Sequence, residues 1–382
     1  MEQEERTFSR IDRDPVPRLF RGYKEVLRVK VLLSHADEGG CGFYRMLSPG
    51  RVLQERGADV TFDLMGSSLR ARLGPDGHIR SVAPVDYDVV VFQRPMSKHS
   101  HEYIGHLQAQ GVAVVVELDD DFWHMDRGSS LFREFQPRPG SLANWDYLAA
   151  SCKAADLVTV STPALARVVP SLHVRVLRNL VPEAYLHVQG DLGDNADLAK
   201  GLIVGWSGVP DTHAGDLREA GNGVVRAVRA AEASFVGLGS PDTGPFLGFE
   251  QGEALFSPWV DLASYPEAVA AYDIGIVPLK MSLFNEAKSY LKGLEYAALG
   301  LPFVASPTSE YRYLASLGAG EIAKHKHDWE RLLTRLLTDV AYRKQRREDG
   351  RAVAESLTYE RHGEKWMDAW EHAVKLRKFS SR

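Results

Sequence analysis

Four residues in the stretch NEAKSYLKGLEYAALGLPFVAS, Asn285 to Ser306, have the types and spacing for chemistry. Lys288, Lys292 and Glu295 follow one another at i, i+4 and i+7, so on a helix all three project from one face, with Ser289 beside Lys288. Ammonium groups near a helix N-terminus add to the positive end of the peptide dipole, and such a place attracts anions. A solvated face carrying an ordinary Lys–Glu pair is the alternative. A second group is the carboxylate run Asp119, Asp120 and Asp121 in VAVVVELDDDFWHM, at the exit of an apolar segment. Carboxylates hold hard cations, or they orient and deprotonate hydroxyls. Neighbours on an extended chain alternate in direction, so the three cannot all share one ion, and capping of the next segment is the structural alternative. A third group is GGCGFYR, which places Gly40, Gly42, Tyr44 and Arg45 in and after a loop, with Gln93 and Arg94 at the similar exit of VVVFQRP. The glycines fit neither the Walker lysine pattern nor G-x-G-x-x-G, and a tight turn alone explains them. Packing is the alternative for the other four.

The elements that must hold these groups follow from hydrophobic periodicity. Leu291, Leu294, Ala298 and Leu301 recur at spacings of three and four, which predicts a helix with Asn285 as its cap. Gly300 supplies the left-handed stop, Pro302 blocks continuation, and FVAS reads as a short interior strand. Toward the N-terminus, RVKVLLS predicts a strand, HADEGGCG a loop, the segment through Leu53 a helix, and ADVTFDL a second strand. FYRML is expected as a short turn, with Ser48 and Pro49 as cap and first residue of the main helix. YDVVVFQRP, VAVVVELDDD and LVTVSTP continue as strands between helices near 102–110 and 143–155. LIVGWSG opens a second set with a helix near 223–231, ASFVGLGS, SYPEAVAAY and DIGIVPL. Alternating strands and helices predict α/β architecture: two Rossmann-like, doubly wound parallel-sheet domains facing across a cleft, with ligands at the strand C-terminal ends. The expected division is 1–186, a polar linker over 187–201, and 202–359, with the segment 360–382 returning to the first domain.

Composition fits this. The chain has 382 residues, 44 % hydrophobic and 25 % charged, which suits a soluble protein of two domains. A formal net charge of −5 disfavours general affinity for nucleic acid. No long apolar run is present, and the opening residues are too charged for a signal peptide, so a cytosolic location is expected. Cys41 and Cys152, the only cysteines, are expected to be free thiols. His99, His101 and His106 in KHSHEYIGH match no zinc spacing and are expected on a helix surface, while His325 and His327 are expected in a charged loop.

The chain resembles the GT-B glycosyltransferases, and is similar to the retaining family 4 enzymes, especially bacterial and phage-encoded members. The resemblance runs from about Arg28 to about Ala373 and rests on LEYAALGLPFVAS, supported by GCGFYR, GWSGVPDTH, WVDLASYPEAVAAYDIGIVPL, RNLVPEAYL and YERHGEKWMDAWEHA. It implies that Glu295 holds the ribose hydroxyls of a nucleotide-sugar donor. It further implies a donor side formed by Trp206, Ser207, Gly208 and His213, and an acceptor side formed by Gly40, Gly42, Tyr44, Arg45, Gln93 and Arg94. The sequence departs from the family at two places. Position 287, where a second Glu is usual, is Ala, with Glu286 one place away, and the usual Arg and Lys are missing from GWSGVPDTHAGD. A diphosphate leaving group needs cations or amide donors, and Lys288, Lys292 and Ser289 are the expected substitutes.

The expectation is a metal-independent, retaining glycosyltransferase without a cofactor. It would move a sugar from a nucleotide-diphosphate donor to a virion protein, a modified DNA base or a glycan, with Asp119, Asp120 and Lys288 as catalytic residues. Asp119 or Asp120 would orient the acceptor hydroxyl, or act as base if the reaction inverts. A nucleotide-sugar 2-epimerase of the same fold and a non-catalytic nucleotide- or sugar-binding module are the alternatives.

Overall fold

The computed structural model describes residues 29–190, 199, 201–212 and 215–380. Within them, short apolar runs become strands: β1 (Val31–His35), β2 (Val60–Leu64), β3 (Ala71–Leu73), β4 (Ile79–Val82), β5 (Val89–Gln93), β6 (Ala113–Leu118), β7 (Leu157–Val160) and β8 (Val174–Val176). The later half adds β9 (Ile203–Ser207), β10 (Ser234–Leu238), β11 (Leu255–Ser257), β12 (Ile274–Val277), β13 (Phe303–Ala305) and β14 (Glu321–Ile322). Every residue of β1, β5, β6, β7 and β9 is buried, because helices cover both faces of a parallel sheet.

Two parallel six-stranded sheets result, in the orders β2-β1-β5-β6-β7-β8 and β11-β10-β9-β12-β13-β14. In each, the winding reverses beside the first strand of the set, between β1 and β5 and between β9 and β12, which is where a doubly wound sheet opens a crevice. The antiparallel pair β3–β4 stands apart. It was not expected, although Pro75-Asp76-Gly77 is a turn signal, and Gly77 takes φ +71° there. The helix Glu364–Ser380 buries Trp366 and Trp370 against β5, β6 and β7 of the first sheet. The linker expected over 187–201 falls mostly outside the described residues.

Three local expectations are corrected. The helix expected to start at Asn285 is two pieces, Leu283–Glu286 capped by Ser282 and Leu291–Ala298, with a turn between them. Asn285 sits inside the first piece and donates to Asp216 Oδ1 at 2.6 Å and to the Lys280 carbonyl at 2.9 Å, so it is no cap. FYRML is not a separate turn: the helix runs from Gly40 to Glu55, with a wider π-helical turn over Phe43–Leu47. Pro49 has no N–H to give the Arg45 carbonyl, and the Ser48 N–H reaches back to the Phe43 carbonyl instead. The Tyr44 carbonyl freed by this shift accepts from the Tyr359 hydroxyl, so Ser48 is interior and caps nothing. Finally, His325 begins the helix Lys326–Thr338 and His327 lies within it, so the charged loop is helical. No helix among the described residues is long and apolar enough to cross a membrane.

Candidate functional site

Lys292 and Glu295 project from the Leu291–Ala298 helix into a cavity of about 440 Å³ between the C-terminal ends of the two sheets. Glu295 is buried and accepts from the Tyr44 hydroxyl on one oxygen and from the Tyr265 hydroxyl, at 3.3 Å, on the other. Tyr44 comes from the first-sheet half, so this carboxylate is shared across the cleft. The Tyr185 hydroxyl lies 2.8 Å from that of Tyr44. Each Glu295 oxygen keeps a further lone pair for a ligand hydroxyl. The Lys292 ammonium donates to the Ser207 carbonyl and lies 4.8 Å from the centre of the Trp206 ring. Burial moves both groups toward neutrality: it raises the Glu295 pKa, against the hydrogen bond from Tyr44 and the charge of Lys292, and lowers that of Lys292 to about 8.

Lys288 and Ser289 lie in the turn before this helix, not on its face. The Lys288 ammonium sits 4.6 Å from the centre of the Phe284 ring and 3.5 Å from Asp120 Oδ1. Burial disfavours its charge, yet Asp120 and Asp216 hold its pKa above the usual lysine value. Glu286, the neighbour of the missing family glutamate, accepts from the Ser309 N–H and hydroxyl at the start of the Ser309–Leu317 helix. It caps that helix and is not among the residues that line the cavity.

The opposite wall is acidic. Glu38, Asp119 and Asp120 line it with Gly39, Gly40 and Cys41. Asp119 Oδ1 is buried with no hydrogen-bond partner among the described residues. Asp121 points away: buried, it takes the His124 Nδ1 at 2.7 Å and the Trp123 N–H at 3.2 Å, and burial raises its pKa. The carboxylate run thus divides into two cleft residues and one structural residue; strict alternation would have put Asp119 with Asp121, but the chain bends after β6 ends at Leu118. Burial and Asp119 push the Cys41 thiol well up, which keeps it un-ionised at neutral pH.

The remaining sequence candidates separate by depth. Gly40 lines the cavity, and a Cβ there would meet nothing within 4 Å. Gly42 is steric instead, since a Cβ would fall 1.8 Å from the Asp37 carbonyl oxygen. Arg45 reaches the cavity wall but is 1 % exposed and tied at 2.7 Å to Glu117, at 2.6 Å to the Leu177 carbonyl and at 2.7 Å to Asn179. Gln93 lies behind the wall, bracing the loop through the Ala36 N–H at 3.0 Å and the Cys41 carbonyl at 2.9 Å. Arg94 pairs with Asp37 and takes φ +48°, a strained value for a residue with a Cβ. Ser207 is buried against the Tyr265 hydroxyl at 2.9 Å, and Gly208 passes the Trp206 ring where a Cβ would come within 2.8 Å. His213 lies outside the described residues.

Several wall residues are not singled out as site residues by the sequence, although they fall within the stretches WVDLASYPEAVAAYDIGIVPL and RNLVPEAYL. Trp259 lines the mouth while 58 % exposed, an unusual exposure for so large an apolar ring. Asn179 and Tyr265 line the interior. Among the described residues no group of three or more His, Cys, Asp or Glu side chains is arranged to hold a metal ion.

No known protein family and no curated protein sequence matches the chain. Solved structures do. HepE from Anabaena, crystallised with UDP, aligns with TM-score 0.60 at 12 % identity over 90 % of this chain and 100 % of its own. Sucrose-phosphate synthase from Thermosynechococcus elongatus aligns with TM-score 0.59 at 16 % identity over 91 % and 100 %. A UDP-forming α,α-trehalose-phosphate synthase from Burkholderia xenovorans gives TM-score 0.59 at 13 % identity over 91 % and 99 %. Shared topology at such low identity is a statement about fold, and the chain has the GT-B fold of two Rossmann-like domains facing across a cleft.

Proposed function

We propose that the protein is a glycosyltransferase that takes a sugar from a nucleoside-diphosphate donor. The observation that carries this reading is the charge division of the cleft: Lys288 and Lys292 on one wall with Glu295 below them, carboxylates on the other. In the reaction the bond from anomeric carbon to diphosphate oxygen breaks and a bond to an acceptor oxygen forms. Negative charge then grows on the departing diphosphate, and preorganised cations in the cleft stabilise it more than the less highly charged diphosphate of the intact donor. Lys288 and Lys292 supply the cations, Glu295 accepts from the ribose hydroxyls, and Trp259 offers an aromatic face for the base. Asp119 and Asp120 orient the acceptor hydroxyl.

The finer proposals are retention at the anomeric carbon and transfer without a metal or other cofactor, inside the cytoplasm. The acceptor is a virion protein, a modified DNA base or a glycan. One neighbour of the same fold supports the donor class, since HepE is described in complex with UDP and with UDP and glucose.

Thermal shift and calorimetric titration with UDP, GDP, ADP and dTDP and their sugars test the reading, because a ligand bound only by the folded protein raises its melting temperature. One of these diphosphates is expected to bind. Lys288→Ala is expected to weaken that binding by about tenfold to a hundredfold, in line with a charge-assisted contact worth ~1.5–3 kcal/mol, while shifting the melting temperature little. Free nucleotide with hydrolysed or transferred sugar supports the transferase, and an isomerised donor supports an epimerase. Unchanged affinity in Lys288→Ala removes the lysine from the site.

A further inference from the structure

The turn that carries Lys288 belongs to the second-sheet half, but first-sheet residues hold it in place. The residue before Lys288 is fixed through its backbone: Thr162, at the start of the Pro163–Val168 helix, donates its hydroxyl to the Ala287 carbonyl at 2.8 Å. The residue after Lys288 is fixed through its side chain: Asn179 donates Nδ2 to the Ser289 hydroxyl at 2.7 Å. Asn179 is itself held, because its Oδ1 accepts from Arg45 Nη1 at 2.7 Å. Apolar packing reinforces this, as Phe284 and Ala287 are buried within the first-half core beside Leu118, Phe122 and Leu165. The Phe284 ring also lies under the Lys288 ammonium at 4.6 Å.

We propose that Thr162 and Asn179 are positioning residues for Lys288, so that the diphosphate subsite is complete only when the two halves are engaged. This rests on the nucleoside-diphosphate reading above. A flexible lysine on a free turn loses much side-chain and backbone freedom on gripping a phosphate, and a turn clamped on both sides of the lysine has already lost it. Substrate grip is therefore coupled to the contact between the halves. Neither residue needs to touch the ligand for this.

A positioning role predicts an effect confined to the phosphate that Lys288 reaches. Thr162→Val keeps the shape and removes the hydroxyl, and Asn179→Ala removes the other clamp. Titrations use whichever of UDP, GDP, ADP or dTDP binds the wild type, each paired with its monophosphate. Both variants are expected to weaken the diphosphate about fivefold to tenfold, the consequence of a lost hydrogen bond of ~1 kcal/mol, and to change the monophosphate less than about twofold. Thr162→Ser retains the hydroxyl and is expected to restore diphosphate affinity. In a Lys288→Ala background the Thr162→Val change is expected to have no further effect on binding, since the group it positions is gone.

The Thr162 hydroxyl also accepts the Leu165 N–H at 3.1 Å, so Thr162→Val loses a helix cap and lowers the melting temperature. Should that variant fail to fold, Asn179→Ala alone and in the Lys288→Ala background carries the same prediction. Equal weakening of both nucleotides, or an undiminished Thr162 or Asn179 effect without Lys288, overturns the positioning role and leaves the donor reading intact. A wild type that binds no nucleoside diphosphate overturns both.

Discussion

Lys292 and Glu295 are three residues apart on one helix face and share a wall of the cavity, and burial opposes charge on each. For the lysine this has a direction in pH. Its pKa in the empty protein is lowered to about 8, so above that pH the amine is neutral and must take up a proton to grip an anion. Diphosphate affinity is therefore expected to be level from pH 7 to 8 and then to fall, by up to about tenfold per pH unit. Lys288, whose pKa is raised by Asp120 and Asp216 despite its burial, stays charged throughout and adds no slope. Lys292→Arg places a cation that does not titrate in this range and is expected to flatten the profile in calorimetric titrations. A profile equally steep in that variant assigns the slope to another group.

The elements act mainly by where they end. Four strand ends deliver the loops of the cleft: β1 leads to the Gly39–Gly42 segment, β6 to Asp119, β9 to Gly208 and β12 to Pro278. At the first of these, two glycines separated by a single residue do different work. Gly42 packs on the Asp37 carbonyl, and Gly42→Ala is expected to destabilise the protein by ~1–3 kcal/mol in denaturant titration, as overpacking does. Gly40→Ala has open space and a helical backbone, so stability is expected to hold or rise slightly while the added methyl narrows the cavity and weakens ligands there. Equal loss of stability in both variants rules out the steric assignment.

At the scale of the whole molecule the two sheets are joined by more than the chain. Phe284 crosses into the first-half core, Lys280 pairs with Asp126 at 3.0 Å, and Arg178 pairs with Glu310 at 3.0 Å. Such contacts predict a single cooperative unfolding transition for the wild type. Truncating a buried Phe costs ~3–5 kcal/mol in a closed core, and here that loss falls on the contact between the halves. Phe284→Ala is therefore expected to separate the calorimetric peak into two, with reduced diphosphate affinity. A single peak at the wild-type temperature would mean that the halves are held together elsewhere.

The alternation of apolar runs with amphipathic segments was enough to determine the α/β class, the pair of doubly wound sheets and the placing of Glu295 and Lys292, because these depend on local period and on one regular helix. Gly300 also behaved as its type requires, closing that helix at φ +76°. The sequence also held a signal for the β3–β4 hairpin in its Pro-Asp-Gly turn. What only the tertiary structure decided is the environment of each charge. Arg45 and Gln93 have the same residue types as ligand-binding groups, yet they are consumed by partners 72 and 57 residues away in sequence. Likewise the break between Glu286 and Leu291, which takes Lys288 off the helix and sets it between Thr162 and Asn179, answers to groups more than 100 residues distant. Helical period is a property of neighbours along the chain, whereas the depth, pairing and charge state of a side chain are properties of whatever the fold brings beside it.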